Sequence, residues 1–337
     1  MAGQGQDATP SHKYLFLNII LYGALLTSGF SEVSHAQPNY PLRAVRIVVP
    51  YPPGGGNDII ARAYADELTR RLAQQVFVEN RPGGSTIIGT EIVAKAPPDG
   101  YTALVSSHTT FAIVPNVRLK LPYDVVRDFE PVSLLAAQSL VLVVHPSLPA
   151  RDIRQLVALA RAQPGVLTYS TSGVGAGGHF CGELFNTMTG VDIRHIPYKG
   201  SAPALTDLVG GQVSMTFSSM AAVQAFVRNG RLRLLAVTSA QRSPLAALTP
   251  TIAESGVPGY EMRGWNAMAV PRGTPKTVIE RLHAEIAATI KSPEVRERLA
   301  GQGYEPEAGT PQQLGDMIKS ELMRYGRLVK AVGMKAE

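Results

Sequence analysis

Residues 44–60 read AVRIVVPYPPGGGNDII. Ala44 to Tyr51 is an apolar, β-branched run of strand length, and glycines follow it directly. Asn57 then opens a pattern in which Ile59, Ile60, Ala63, Tyr64 and Leu68 recur on one side as far as Leu72, which reads as a helix. A strand, a glycine turn and a helix in that order aim free backbone N–H groups, at the positive end of a helix dipole, at whatever lies above the sheet. The unit recurs. Val76–Glu79 leads through Pro82-Gly83-Gly84-Ser85-Thr86 into a helix expected over residues 86–95. Val166–Ser170 leads through Gly173-Val174-Gly175-Ala176-Gly177-Gly178 into one over 178–188, and Asp192–Tyr198 through Lys199-Gly200-Ser201 into one over 202–209. Four such turns describe a pocket that grips an anion with main chain.

Working outward, Tyr101–Ser107 is a third strand ending in Ser106-Ser107-His108-Thr109-Thr110. Phe129–His145 is one long strand-rich run. The alternation restarts with a helix over 150–162 and closes with strands 212–217 and 232–238, a helix over 220–228 and a return strand near Trp265–Val270. A helix over 274–291 carries Val278, Ile279, Leu282, Ile286 and Ile290 on one face. The pattern predicts an α/β protein built as a two-domain clamp. Domain one comprises 37–138 with 265–337, domain two 139–264, and the ligand lies in the cleft between them.

At the N-terminus, Lys13 precedes an apolar run from Tyr14 to Phe30, and Ser34-His35-Ala36 fits a small-x-small cleavage rule. Residues 1–36 are therefore read as a signal peptide cut after Ala36, with export to the periplasm. The net charge of +6 favours anionic ligands in general, but the basic residues are scattered and no nucleic-acid partner is expected. The single cysteine, Cys181, cannot form an internal disulfide and reads as a small core residue. No paired-Cys, H-E-x-x-H or clustered-His spacing indicates a metal site, and no cofactor is expected.

Each candidate residue has a plainer reading. The glycine turns serve as tight turns with ordinary caps; Asn57 or Gly56 is a natural N-cap and Asp58 suits a first helical turn. Gly173, Gly175 and Gly178 match the dinucleotide fingerprint, but the next strand ends Ile196-Pro197-Tyr198-Lys199 with no acidic residue for a ribose. Ser106, Ser107, Thr171 and Ser172 at strand ends either complete an anion shell or cap helices. His179 bonds a ligand or a turn carbonyl, Lys199 pairs with a carboxylate or is solvated, and Asp207 is a surface charge, a strut or a contact. Trp265 walls the cleft or packs between the domains. An exported hydrolase would use Ser107 or Ser172 with His108 or His179, yet no G-x-S-x-G elbow occurs.

The residues also match a family. Tyr40-Pro41, Pro50 to Gly55 with Asp58 and Ala61-Arg62, Glu79 to Gly84, Val93 to Thr102, Leu121 to Asp124, Asp128-Phe129, Gly182 to Phe185, His195 to Gly200, Gly264-Trp265 and Gly273 to Pro275 run in order along the chain. The chain resembles the Bug family of extracytoplasmic solute receptors, the substrate-binding proteins of tripartite tricarboxylate transporters. The resemblance implies a type-II-like periplasmic binding protein of Venus-flytrap form, with no catalysis and no cofactor. It implies a small carboxylate ligand (a di- or tricarboxylate, an acidic amino acid or an aromatic acid) delivered to membrane subunits of such a transporter by a monomeric receptor. Carried over, the carboxylate is held beside Gly55, Gly56 and Asn57, beside Gly84, Ser85 and Thr86, and at the Ser106-Ser107 strand end. Domain two then contributes Ser172, Gly173, Gly177, Gly178 and His179, with Tyr198, Gly200 and Asp207; an ammonium group on the ligand would take Asp58 or Asp207. The Ser85-Thr86-Ile87-Ile88 stretch departs from the smaller residues of relatives. A sensor that presents its ligand to a membrane kinase is the alternative partner reading.

Overall fold

The computed structural model describes residues 1–3 and 40–331. The signal peptide expected over 1–36 lies, apart from its first three residues, outside them. The described residues from Pro41 onward form one contact unit, and the fold is the α/β clamp expected from the alternation.

Strands β1 (Val45–Val49), β2 (Val76–Asn80) and β3 (Thr102–Ser107) are parallel, with β1 in the middle. Helices Gly56–Leu72 and Ile87–Ala94 make the connections. β1 and β3 are buried nearly end to end, which explains their unbroken apolar runs.

β4 (Phe129–Val144) then runs through both halves. Its first part pairs antiparallel with the return strand β9 (Arg263–Pro271), which in turn pairs antiparallel with β3. Its last part, Leu140–Val144, pairs antiparallel with β7 (Met215–Ser219) and β8 (Arg233–Val237). β7, β5 (Thr168–Thr171) and β6 (Arg194–Pro197) are parallel. Gln138 and Gly264, where the sequence places the outward and return crossings, are partners in the β4–β9 ladder.

Two buried clusters flank this seam. One, around Phe111, Phe129, Trp265 and Leu314, fills the half carrying β1–β3. The other, around Leu142, Tyr169, Phe180 and Phe185, fills the half carrying β5–β7 and reaches Tyr325 of the long helix Pro311–Ala331. Helix Gly177–Thr189 can lie flush on β7 because Gly178 has no side chain: a Cβ there would stand 2.7 Å from the Phe217 carbonyl oxygen.

Candidate functional site

The first turn is held from below by one buried carboxylate. Asp58, 3% exposed, accepts from the Gly54 N–H at 2.9 Å, from Arg62 at 3.0 Å and from the Asn80 amide at 2.9 Å. Burial alone would raise its pKa, but these bonds outweigh burial and hold the carboxyl below its ordinary value. Asp58 is thus a strut for the turn. Gly55 is the N-cap residue of helix Gly56–Leu72 and makes no side-chain cap, so the first amides of that helix are left for something else. Asn57 accepts through Oδ1 from the Asn266 amide at 2.7 Å, which ties the helix start to β9.

The second turn is strained. Gly83, Gly84, Ser85 and Thr86 all have positive φ, at 132°, 56°, 54° and 79°. Glycine takes this region freely; serine and threonine do so at a cost of about 1–3 kcal/mol each, and such strain is concentrated at functional sites. Neighbours hold Thr86 in place. Its hydroxyl accepts from Thr110 at 3.0 Å, Thr110 accepts from Ser106 at 2.6 Å, and Tyr51 bonds both Thr110 (3.2 Å) and Ser107 (2.8 Å). This hydroxyl chain joins the ends of β1 and β3 to the second turn. Ser85 accepts from Arg118 at 2.9 Å.

In the other half, Gly173 (φ 146°) opens the third turn and its N–H donates to Thr171 Oγ1 at 3.2 Å. His179 accepts the Gly175 N–H at Nδ1, 3.1 Å away, so its own proton sits on Nε2. His179 stacks on His195 with centroids 4.0 Å apart, and His195 Nε2 lies 2.6 Å from Thr171 Oγ1. Two imidazoles in this contact disfavour being charged together. Burial lowers both, His195 to about 4 with help from the neighbouring His179, and burial takes His108 to about 4 as well. Folded values below the unfolded one of about 6.5 mean that the unfolded chain takes up protons first as pH falls. Thermal unfolding should therefore show a Tm that is flat for these groups above about pH 6.5 and falls towards about pH 4. His195→Gln should remove part of that slope; an unchanged slope would show that the stack does not titrate this way.

Tyr198 donates to Asp207 at 2.6 Å, an internal strut, and burial followed by that carboxylate pushes the phenol up to about 12. Gly200 (φ 116°) returns its N–H to the Ser172 carbonyl at 3.1 Å. Lys199 is exposed.

A cavity of about 260 Å³ lies beside the third turn, against Gln138 and Gly264 of the seam; none of the residues of the first two turns lines it. The starts of three helices line it: Gly177 and Gly178 of Gly177–Thr189, Ser201 of Ser201–Val209, and Ser219, the N-cap of Met220–Arg228. Thr171, Ser172, Thr216 and Ser218 add hydroxyls, and Leu140, Leu205, Met262 and Tyr325 add apolar surface. Its one cationic side chain, Arg263, is committed to Glu307 at 2.6 and 3.2 Å. Main-chain dipoles and hydroxyls thus supply the positive potential.

Of the residues picked from sequence, Thr171, Ser172, Gly177 and Gly178 line this cavity, as does His108. Thr86, Ser106 and Ser107 share the hydroxyl chain, while Gly55, Gly84 and Ser85 are exposed. Asp58, Asp207, Tyr198 and His179 bond within the chain, and Trp265 is buried and stacks on Phe111 at 5.7 Å. Sequence reasoning passed over Tyr51, Thr110, Ser218 and Ser219. The last two carry a legible signal, a strand ending in paired serines before a helix, as at Ser106-Ser107. Neither Ser107 nor Ser172 has a hydrogen bond to a histidine among the described residues; Ser107 pairs with Tyr51, and His108 Nδ1 faces the Trp265 N–H. Cys181 is fully buried and its thiol is pushed up to about 12 by burial, which leaves it protonated. No group of three or more metal-ligating side chains occurs among the described residues, and none of their helices is long and apolar enough to cross a membrane.

The chain is 39% identical over 312 residues to Protein BugT of Bordetella pertussis, covering 92% of this chain and 95% of BugT. Among solved structures it is similar to R. palustris Rpa4515 with adipate (39% identity, TM-score 0.70, 87% of this chain and 98% of that one). It is also similar to MatC from Rhodopseudomonas palustris with bound malate (28% identity, TM-score 0.66, 86% and 100%). Residues 60–334 match the tripartite tricarboxylate transporter family receptor, and the chain belongs to that family.

Proposed function

We propose that this protein is a periplasmic receptor that captures a small carboxylate in the cleft and passes it to the membrane subunits of a tripartite tricarboxylate-type transporter. The observation that carries the reading is the convergence of helix starts, with their turns and hydroxyls, on a cavity whose only cation is already paired. One carboxylate docks on the turns at Gly55–Asn57 and Gly84–Thr86. Domain two, residues 139–264, closes on domain one, residues 37–138 with 265–337, and brings Ser172, Gly177 and Gly178 onto the rest of the molecule. Closure excludes water and strengthens each polar contact. The adipate and malate seen in the two structural relatives name the first acids to try. Export follows cleavage after Ala36, and the receptor acts as a monomer.

The test is thermal unfolding of the ligand-stripped mature chain against adipate, malate, other small acids and NAD. A carboxylate at a hundred times its Kd should add about 2.7 kcal/mol, a rise of several degrees. No rise with any carboxylate, or a rise with NAD, would overturn the proposal. Gly84→Val should weaken the successful acid by about tenfold or more. A Cβ at Gly84 finds only ordinary contacts with Ile87 and Ile88, so the core is untouched, but φ of 56° resists a β-branched residue. Native affinity in that variant would remove the second turn from the site.

A further inference from the structure

Where the cavity meets the β4–β9 seam, its wall carries two polar side chains that the fold leaves unused. His108 follows directly on β3 and Gln138 stands on β4; both line the cavity and both are half-buried. Gly264, the ladder partner of Gln138, lets the imidazole lie against the seam. A Cβ there would stand 3.2 Å from His108 Cε1 and 3.8 Å from the Gln138 carbonyl oxygen, so the two residues meet at this glycine.

The His108 ring is fixed, and its tautomer with it. It stacks on Tyr325 with centroids 6.0 Å apart, and its Nδ1 accepts the Trp265 N–H at 3.4 Å. Burial and the nearby Arg324 charge lower its pKa to about 4, so the ring is neutral and its one proton is on Nε2. Among the described residues neither that N–H nor the Gln138 side-chain amide has a hydrogen-bond partner. The nearby cations are committed elsewhere. Arg263 is held by Glu307, and Arg324 by Glu321 at 2.8 Å and the Glu261 carbonyl at 2.9 Å. The helix starts that attract an anion belong to the opposite wall, at Gly177, Ser201 and Ser219. The seam thus presents uncharged donors and one amide acceptor. A carboxylate brought against them would be desolvated with no charge to compensate it, whereas a hydroxyl or carbonyl oxygen is matched group for group.

We propose that His108 sets the ligand specificity of the cleft: its Nε2–H, with the Gln138 amide, hydrogen-bonds an uncharged oxygen, a hydroxyl or carbonyl, carried on the body of the acid. This role rests on the reading of the cleft as a carboxylate site. Hydroxy and oxo acids are then preferred to plain acids of the same length, because a plain acid covers both polar groups and leaves them unpaired.

The test is calorimetric titration of malate against succinate and of hydroxyadipate against adipate, pairs that differ by one hydroxyl, into the ligand-stripped native protein, His108→Phe and His108→Gln. In the pair that fits, the native protein should bind the hydroxy acid about tenfold or more tightly. His108→Phe keeps a ring against Tyr325 and removes the donor, so it should weaken the hydroxy acid by about that factor and the plain acid far less. His108→Gln returns an N–H donor and should recover part of the preference. A plain acid bound as tightly as its hydroxy partner, binding confined to acids without such an oxygen, a preference that survives in His108→Phe, or an equal loss for both acids there would overturn the role of His108 and leave the carboxylate reading in place. No binding of any acid would remove both.

Discussion

Gly89→Ala is expected to lower stability by about 3 kcal/mol and Tm by roughly 5–10 °C. Gly89 is buried in helix Ile87–Ala94, and a Cβ there would stand 2.6 Å from the Arg81 carbonyl oxygen, 2.9 Å from Pro50 Cβ and 3.0 Å from Pro50 Cα. Two of these atoms are backbone and the third belongs to a ring, so no rotamer change makes room. The helix must lift away from the ends of β1 and β2, and the second turn, which begins that helix, lifts with it. Ligand affinity should therefore fall in the folded variant. The control is Gly230→Ala, where φ is 69° but nothing lies within 4 Å of the added carbon; it should cost only about 1–2 kcal/mol for the left-handed conformation. Equal melting losses in the two variants would show that the close approach at Gly89 is not what holds the helix.

Asp58→Ala is expected to cost about 2–4 kcal/mol, because it strips partners from the Gly54 N–H, the Asn80 amide and the Arg62 guanidinium together. The larger end of that range is tempered by Arg62, whose side chain is 44% exposed and can be hydrated. The same carboxylate makes a signed prediction. Its folded pKa lies below the unfolded value, so its contribution is complete above about pH 4 and is lost as pH falls through the folded pKa. Asp58→Asn should abolish that acid-limb loss while leaving the histidine-dependent slope above it. Calorimetric melts of native and variant protein from pH 7 downward would check this. An acid limb unchanged in Asp58→Asn would show that other carboxylates dominate it.

Much of the fold was legible because each strand–glycine–helix unit carries its own punctuation. Helix Met220–Arg228 falls where the periodicity puts it, and Gln138 and Gly264 pair across the seam. What escaped was direction and partnership. The apolar run at 233–237 looks the same whichever way it pairs; β8 lies antiparallel on β4 because β4 offers a free edge for it, not because of anything within its five residues. The π-helical turn Thr109–Ile113 and the helix Val114–Val117 after it were also unforeseen, since a single extra residue per turn leaves no mark on an apolar period. At the site, the turns were visible as glycine clusters. The bonds that fix them were not: Tyr51 and Thr110 are ordinary polar residues until folding brings β1, β3 and the second turn within reach of one another.

β4 is one unbroken strand of 16 residues, laddered to β9 on one side of the seam and to β7 and β8 on the other. The register of its ladder with β9 shifts between Pro131 and Ser133 and between Leu134 and Ala136, but the pairing is not interrupted. Its ladder with β9 continues through Gln138–Gly264 and Ser139–Arg263, so the proposed opening of the clamp would be a bend of paired strands, not a swing on a loose tether. A ribbon resists bending in proportion to its curvature and springs back. On the proposed closure, the stiffness of those paired strands would set the amplitude of the gape, and ligands would be sorted by the span they bridge as much as by the groups they present.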